Sequence, residues 1–488
     1  MNIIELIKNQ EECEGMFTLP GGESVEGRLI LDPQYDYSVI LRVINPPDQW
    51  SNPSKLKKSL IHGQLNNGMY LTLIGSISTK SIYTQSIPYD DFYCDSLFTA
   101  HTYDISHLKC HSVNKIRFKL PHSRKIFPVY INQVSSENRQ EILKTIMGDT
   151  YQSNDLNNSF ERVYYCGGVS EIISCNTKYG QVKVRPYQVS TLPYIDVEFE
   201  ISPNFASNSF SNAEEVVECI IRFLWLLTGS RQYAEKIQIQ MKDPDDGRSI
   251  NVDAHFLLQE EPLFTANTKQ QYPEILIDPI HDHTMFEKCL TAWSNLNEQR
   301  RTACDVILSQ FNEPTHSPFR IARSVAAFEW FFDPHNEMDG DDQSVAKITE
   351  IMDFAQNHIK KQYAKSKSRG YVLSKLTINP KKPKQKDKIN SRLSIIQDHL
   401  PEELKKIINK LLKQAVDARN EYIHDHSYMF SELDYHHYIH MADTLEFIFL
   451  SSVLVECGWD MKSWLTTAHT LSHPFSRYIA QYTPAYSS

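Results

Sequence analysis

Near the C-terminal end, the stretch Ala415 to Ser427 reads A-V-D-A-R-N-E-Y-I-H-D-H-S and places Arg419, Asn420 and His424 within six positions. A guanidinium grips a phosphate through a planar fork of donors, and an imidazole carries a proton at neutral pH. Together they make a minimal set for breaking a phosphodiester bond without metal, one group holding the phosphate and the other moving a proton. His426 is an auxiliary candidate, at a spacing from Arg419 two residues longer. Glu329, a carboxylate within the apolar run S-V-A-A-F-E-W-F-F, is another, although a structural ion pair is its plainer reading. Arg419 also has a plain reading, as a cation meeting the C-terminal end of a helix dipole, and Asn420 as a solvent-facing residue. The same spacing recurs at Arg117 and His122, where Pro121 and a strand-like setting point to an ordinary surface pair.

A helix must carry the C-terminal set. Pro401, Glu402 and Glu403 suit a first turn, and Leu404, Ile407, Ile408, Leu411, Ala415 and Tyr422 then recur on one face. On an ideal helix Arg419 falls about 40 to 60° from the centre of that face, and Arg419 and His424 are about 140° apart. They can serve one phosphate if the helix ends or distorts near Asp425-His426-Ser427, or if two copies of the chain pool their residues. Both routes are open from the sequence.

Upstream of that helix, residues 360–392 hold twelve Lys and Arg against one acid, Asp387, in a chain whose net charge is -10. Tyr363 and Tyr371 are interleaved. A solvated loop is the bland interpretation, but a concentrated basic segment in an acidic protein favours phosphate binding, with Lys381, Lys382, Lys384, Lys386 and Lys388 as the RNA-contacting candidates. A different chemistry is suggested by His424, His426, His436, His437 and His440, since His436 and His440 have the four-residue spacing of metal ligands. The segment lacks H-E-x-x-H and a clear third carboxylate, so no metal ligand is assigned. No P-loop, nucleophile elbow or dinucleotide fingerprint occurs, and no cofactor is expected.

The remainder divides in two. Short β-branched runs bounded by Gly, Pro and Asn, a hairpin signal at Asn67-Gly68 and alternating segments at 181–185 and 196–200 predict a β-rich half with sandwich-like sheets. Within it, Ser211 and Glu214 form a capping box for one helix with Ile220, Phe223, Leu224 and Leu227 on its apolar stripe and Gly229 at its end. After Pro279 helical spacing dominates, at 319–332, 344–362, 401–424 and 433–457. The expected class is α+β and multidomain: a β-rich region over 1–278, with 1–160 and 161–278 as two candidate subdomains, then an all-α bundle over 279–488.

Hydrophobic residues at 41% and charged residues at 23% describe a globular chain. Nine cysteines without a C-x-x-C pair suit a reducing compartment. No signal-peptide pattern is visible, and the longest apolar run, Leu445 to Val455, is interrupted by Glu446 and two serines, well short of the roughly 20 residues that a bilayer requires. A cytoplasmic protein without a membrane partner is expected.

R-N-E-Y-I-H resembles the R-x(4-6)-H signature of HEPN ribonucleases, in which the position after arginine is commonly polar. G-M-F-T-L-P-G-G-E-S-V-E-G-R-L from Gly15 and H-G-Q-L-N-N-G-M-Y-L-T-L from His62 are similar to the β-rich N-terminal domain of the ApeA family of bacterial anti-phage abortive-infection proteins, which carry a C-terminal HEPN domain. The resemblance implies a metal-independent endoribonuclease acting as a homodimer or higher even oligomer. The RNA 2'-OH would attack the adjacent phosphate, with His424 as general base or acid, Arg419 on the phosphate and Asn420 orienting. tRNA or other structured RNA would be the substrate, and the N-terminal region would sense a phage-encoded trigger or restrain the nuclease. The alternatives are a catalytically inactive HEPN-like dimeric scaffold and a zinc-dependent hydrolase built on the histidine cluster.

Overall fold

A computed structural model describes residues 3, 7, 13–19, 22–32, 38–44, 59–77, 82–83, 88–100, 112–121, 123, 126–127, 132–133, 164–165, 171–188, 195–204, 210–242, 247–256, 274–311, 318–331, 354–355, 357–361, 369, 385–424, 432–467 and 469–482. The chain divides into two compact units, Met1–Asn295 and Leu296–Ser488.

Among the described residues, the first unit is built on one antiparallel sheet of thirteen strands, with a separate two-stranded ribbon. Its strands are β1 (Glu14–Thr18), β2 (Ser24–Asp32), β3 (Ser38–Ile44), β4 (Ser59–Leu65), β5 (Tyr70–Ile77), β6 (Ile82–Tyr83), β7 (Pro88–Ala100) and β8 (Ser112–Lys119). After the ribbon strands β9 (Asn132–Gln133) and β10 (Tyr164–Tyr165) come β11 (Ile173–Thr177), β12 (Gly180–Gln188), β13 (Ile195–Pro203), β14 (Glu235–Lys242) and β15 (Ser249–Phe256). Where packed sheets were expected, the strands form a single surface that partly closes on itself. β1, β2, β3, β7, β5 and β4 pair in turn, and β4 returns to β1, making a six-stranded ring. Closure removes the unpaired edges that an open sheet would leave.

Strand β7 makes this possible by its length. One of its edges pairs β5 over Phe92–Ala100, while the other serves β3 at Tyr89–Tyr93 and then β15 at Ser96–Thr99. It is therefore common to the ring and to the open array β15-β14-β8-β13-β12-β11. β8 lies between β13 and β14, so the stretches 1–160 and 161–278 are interleaved in one sheet.

The ring is filled by Phe17, fully buried, with Leu29, Leu41, Val43, Ile61, Leu71, Leu73 and Phe92. Gly63 and Gly27 border Phe17, and Gly15 lets the β4 backbone come close. A Cβ at Gly63 would lie 2.5 Å from Phe17 Cδ1, one at Gly27 would lie 2.8 Å from Leu41 Cδ1, and one at Gly15 would lie 2.3 Å from the Gln64 carbonyl oxygen. Register is held by Arg42, which donates to both oxygens of its cross-strand partner Asp91 at 2.9 and 3.0 Å. The β4–β5 turn is the Asn-Gly turn expected from the sequence: Gly68 has φ 87°, and the Asn67 side chain accepts from Met69 N–H at 3.0 Å.

Two helices complete the open array: α1 (Phe210–Thr228), ended by Gly229 at φ 65° as its sequence predicts, and α2 (His283–Ser294). Phe127 and Phe286 contact edge to face, as do Phe223 and Phe286, and Phe118 stacks on Phe199 at 4.9 Å. Trp293 Nε1 donates to the Cys219 carbonyl at 3.0 Å. The apolar side of α2 thus belongs to this core, which is why the first unit reaches Asn295 and extends past the 278 boundary expected from composition. The polar side of α2 meets the outermost strand. Ser174 N–H donates to Glu287, Thr291 donates to the Asn176 carbonyl, and Lys178 N–H donates to Ser294. A helical turn rises about 5.4 Å and two strand residues about 6.8 Å, so one helix face can serve alternate groups of an edge strand.

On the opposite side of the array, Glu200 is almost fully buried under cations, with Arg117 at 3.0 Å, Lys115 at 3.1 Å and Arg185 at 3.2 Å. Burial alone would raise its carboxyl; the hydrogen bonds from Lys115 and Arg117 outweigh that and hold it below the usual value. Arg117 is thus occupied, as its expected surface role suggested, while His122 lies outside the described residues.

The second unit is a helical bundle of α3 (Glu298–Gln310), α4 (Pro318–Phe331), α5 (Gln385–Ile396), α6 (Glu402–His424), α7 (Glu432–Cys457), α8 (Met461–Trp464) and α9 (Pro474–Tyr482). The long helix α7 packs against α3, α4, α5, α6 and α9. Its side chains from Thr444 to Leu454 are buried all round, which a central helix requires. Over His437–Cys457 it is also long and apolar enough to cross a membrane, but 72% of that window is buried inside the bundle. The sequence missed α5, whose Ile389, Leu393 and Ile396 form a buried stripe within the basic segment. Most of the helical pattern at 344–362 lies outside the described residues.

Two outcomes test this part of the fold. Gly63→Val, forcing side-chain atoms onto Phe17, is expected to cost about 1–3 kcal/mol or more in denaturant unfolding, with Gly68→Ala, where nothing lies within 4 Å, limited to the cost of its positive φ. Glu200→Gln is expected to lower the melting temperature at neutral pH. Because the folded carboxyl sits below 4.5, the stabilisation is complete above that pH and disappears as acid titrates it, so the two melting curves should converge below pH 4.5.

Candidate functional site

Helix α6 opens with Glu402 and Glu403 in its first turn, and Lys405 pairs with Glu402 at 2.7 Å, holding that carboxyl below its usual value. Leu404, Ile408, Leu411, Leu412 and Ala415 bury one face. Beyond Ala415 the burial lessens: Val416, Ala418, Arg419 and Asn420 are half-buried and Asp417 is exposed. A guanidinium in that position keeps access to solvent while its stem packs. Arg419 Nη1 donates to the Asn420 side-chain oxygen at 3.3 Å, which ties the two polar candidates together.

The backbone is helical without a break to His424. Arg419 and His424 therefore keep, along the backbone, the separation of about 140° that regular helix geometry imposes, and His424 is the last residue of the helix. The side chain of His424 and all of His426 lie outside the described residues.

The neighbours that fix α6 are themselves pinned by buried charge. On α4, Arg320 donates to both oxygens of Glu446 on α7, at 2.6 and 2.7 Å, and reaches Asp443 at 3.4 Å. Arg320 and Glu446 are 6% and 3% exposed, so this is a desolvated bidentate pair inside an apolar bundle. Phe328 and Phe331 of the same helix meet Phe449 edge to face, both at 5.1 Å, so α4 and α7 run in the same sense. α6 is joined to α7 through residues 425–431 and packs on both α7 and α4. The C-terminal turns of α6, with Arg419, and the N-terminal turns of α4 thus lie toward the same end of the bundle.

Glu329 accepts from Gln385 Nε2 at 2.5 Å, joining the end of α4 to the start of α5. Of the basic candidates, Lys386 is exposed and Lys388 half-buried on α5, and Lys381, Lys382 and Lys384 lie outside the described residues. Arg392 must be removed from the phosphate-binding surplus. It is 4% exposed, donates to Ser452 at 2.9 Å and Glu456 at 2.7 Å, and has its guanidinium 4.4 Å from the Phe331 ring centroid. The sequence signal that distinguishes it was available, since it stands three residues beyond Ile389 and next to Leu393 on the buried stripe of α5.

His437 and His440 are half-buried on α7. No group of three or more His, Cys, Asp or Glu is placed to hold a metal among the described residues. Seven described cysteines are buried thiols, and burial pushes those of Cys175 and Cys289 up to about 12.

The Arg320–Glu446 pair generates a measurable expectation. Glu446→Leu or Arg320→Met alone strands a buried charge and should cost about 3–5 kcal/mol in unfolding free energy. The double variant should recover most of that loss in a thermodynamic cycle, because neither deeply buried charge is then left, and Asp443, which Arg320 also reaches, is 27% exposed.

Comparison with curated proteins and with solved structures gives no match. Two family models do match. ApeA N-terminal domain 1 covers residues 12–296, ending where the first compact unit ends, and Apea-like HEPN covers residues 323–463, which include Arg419, Asn420 and His424. The HEPN match supports a nuclease role in anti-phage defence. With the first model alone spanning more than half of its length, the chain belongs to the ApeA family.

Proposed function

We propose that this chain is a metal-independent endoribonuclease that acts as an anti-phage abortive-infection effector, with Arg419, Asn420 and His424 as its catalytic set. The observation that carries the reading is their position: all three stand in the last two turns of one continuous helix inside the matched HEPN segment. An arginine and a histidine about 140° apart on one helix point to different sides of it. Two copies meeting along α6 bring them together, with Arg419 of one and His424 of the other on either side of the scissile bond.

In the reaction, His424 takes the proton of the RNA 2'-OH, whose oxygen attacks the adjacent phosphorus. Arg419 holds the non-bridging oxygens as charge builds on them. The 5'-oxygen leaves with a proton, giving a 2',3'-cyclic phosphate and a 5'-OH end. An ordinary imidazole pKa near 6.5 suits both proton steps. Asn420, bonded to Arg419, sets the fork. His426 can share the proton transfer. Single-stranded loops of tRNA or another structured RNA are the accessible substrates, since there the 2'-OH and bases are unstacked. The first unit would restrain the nuclease until a phage-encoded component reaches it, and the cytoplasm is the compartment where RNA and buried free thiols coexist.

The test uses purified full-length protein and total RNA in EDTA. Cleavage should persist, leave 2',3'-cyclic phosphate ends and fall at least 100-fold in His424→Ala, with wild-type protein an even oligomer by light scattering. Loss of cleavage on chelation would transfer the activity to the histidines of α7. Absence of cleavage with and without infected-cell extract would make the protein a dimeric scaffold.

A further inference from the structure

Helix α4 is divided sharply into two sides. Arg320, Ile321, Ser324, Val325, Ala327, Phe328 and Phe331 are buried and lie within a 160° arc. The opposite side carries Phe319, Arg323, Ala326 and Trp330, spaced i, i+4, i+7 and i+11, within about 60° of one another. Phe319 is 53% exposed and Trp330 49% exposed, unusual for large aromatics. Arg323 has its guanidinium 5.2 Å from the Phe319 ring centroid. At the far end, the bond from Gln385 to Glu329 brings the start of α5 beside Trp330, and with it the exposed Lys386. At the near end, Phe319 lies toward the same end of the bundle as Arg419.

We infer that this outer side of α4 is a track for single-stranded RNA, with Phe319 and Trp330 stacking bases and Arg323 and Lys386 gripping phosphates. The inference rests on the nuclease reading above and assigns the substrate a path across the bundle, from the candidate site to the basic segment. Alternation of aromatic rings with cations is the pattern that binds unpaired strands, because every base presents a π-face and every linkage a charge. Self-association is the competing use of an exposed aromatic side. The side is about 16 Å long and one helix wide, which supplies on the order of 200 Å², against the roughly 800 Å² per partner of a stable interface. By itself it is too small for a dimer and ample for a few nucleotides.

The experiment measures binding of a fluorescein-labelled single-stranded oligoribonucleotide to the full chain carrying His424→Ala, so that the probe is not consumed. Adding Phe319→Ala and Trp330→Ala together should weaken binding at least tenfold, while Phe319→Tyr with Trp330→Phe should keep it close to the parent. Arg323→Gln should reduce the slope of log affinity against log salt by about 1. Melting temperature and mass should stay unchanged in the aromatic variants, since Phe319 and Trp330 are exposed. Unchanged binding in the double alanine variant overturns the track, as does a fall in mass, which would make the side a contact between copies. If wild-type protein still cuts RNA in either case, the nuclease reading survives; RNA neither bound nor cut by the wild-type chain removes both.

Discussion

The bundle depends on one desolvated contact, the guanidinium of Arg320 laid against the carboxylate of Glu446. Either group alone in that setting would cost several kcal/mol, so the pair forms only when α4 and α7 meet in one register, with Arg320 opposite Glu446 and Phe328 and Phe331 against Phe449. Hydrophobic packing is tolerant of small slips; a buried bidentate pair is not. Once it is made, the rotation of α4 is set, and its aromatic outer side and the level of Arg419 on α6 follow from it.

The β unit solves a different problem, how to close six strands around very little space. Phe17 fills the ring, and Gly15, Gly27 and Gly63 are where the surrounding strands come too near for a Cβ. All three fall in the two stretches that resemble the ApeA N-terminal domain. The resemblance is therefore in part a packing signature, arising from close approach at Phe17 and between β1 and β4, and it marks the fold more directly than it marks an activity.

What was legible followed from local physics. The Asn-Gly turn, the terminal glycine of α1, the amphipathic α6 and the change from strand to helix all depend on residues close together in sequence; the capping box read at Ser211 does not open α1, which begins at Phe210. Ring closure was not legible, because nothing local in β7 announces that one edge will serve two partners. Helix α2 was assigned to the wrong side of the compositional change, since helical periodicity says nothing about which core Phe286 and Trp293 enter. Arg392 counted as a free cation for a similar reason: charge is written in the sequence, and its partners Glu456 and Ser452 are sixty or more positions away. At the candidate site, residue types and helical phase were readable, while what brings Arg419 and His424 to one phosphate is not written in local sequence.

The contact between α2 and β11 reaches beyond the fold. Glu287, Thr291 and Ser294 occupy the amide and carbonyl positions that a neighbouring strand would otherwise take, so the outer rim of a very large sheet is denied to other chains. A fragment trimmed at the compositional boundary near 278 would lose that cover and present a raw template for intermolecular strand addition. The first unit is isolated with that rim covered only if the cut falls after Asn295.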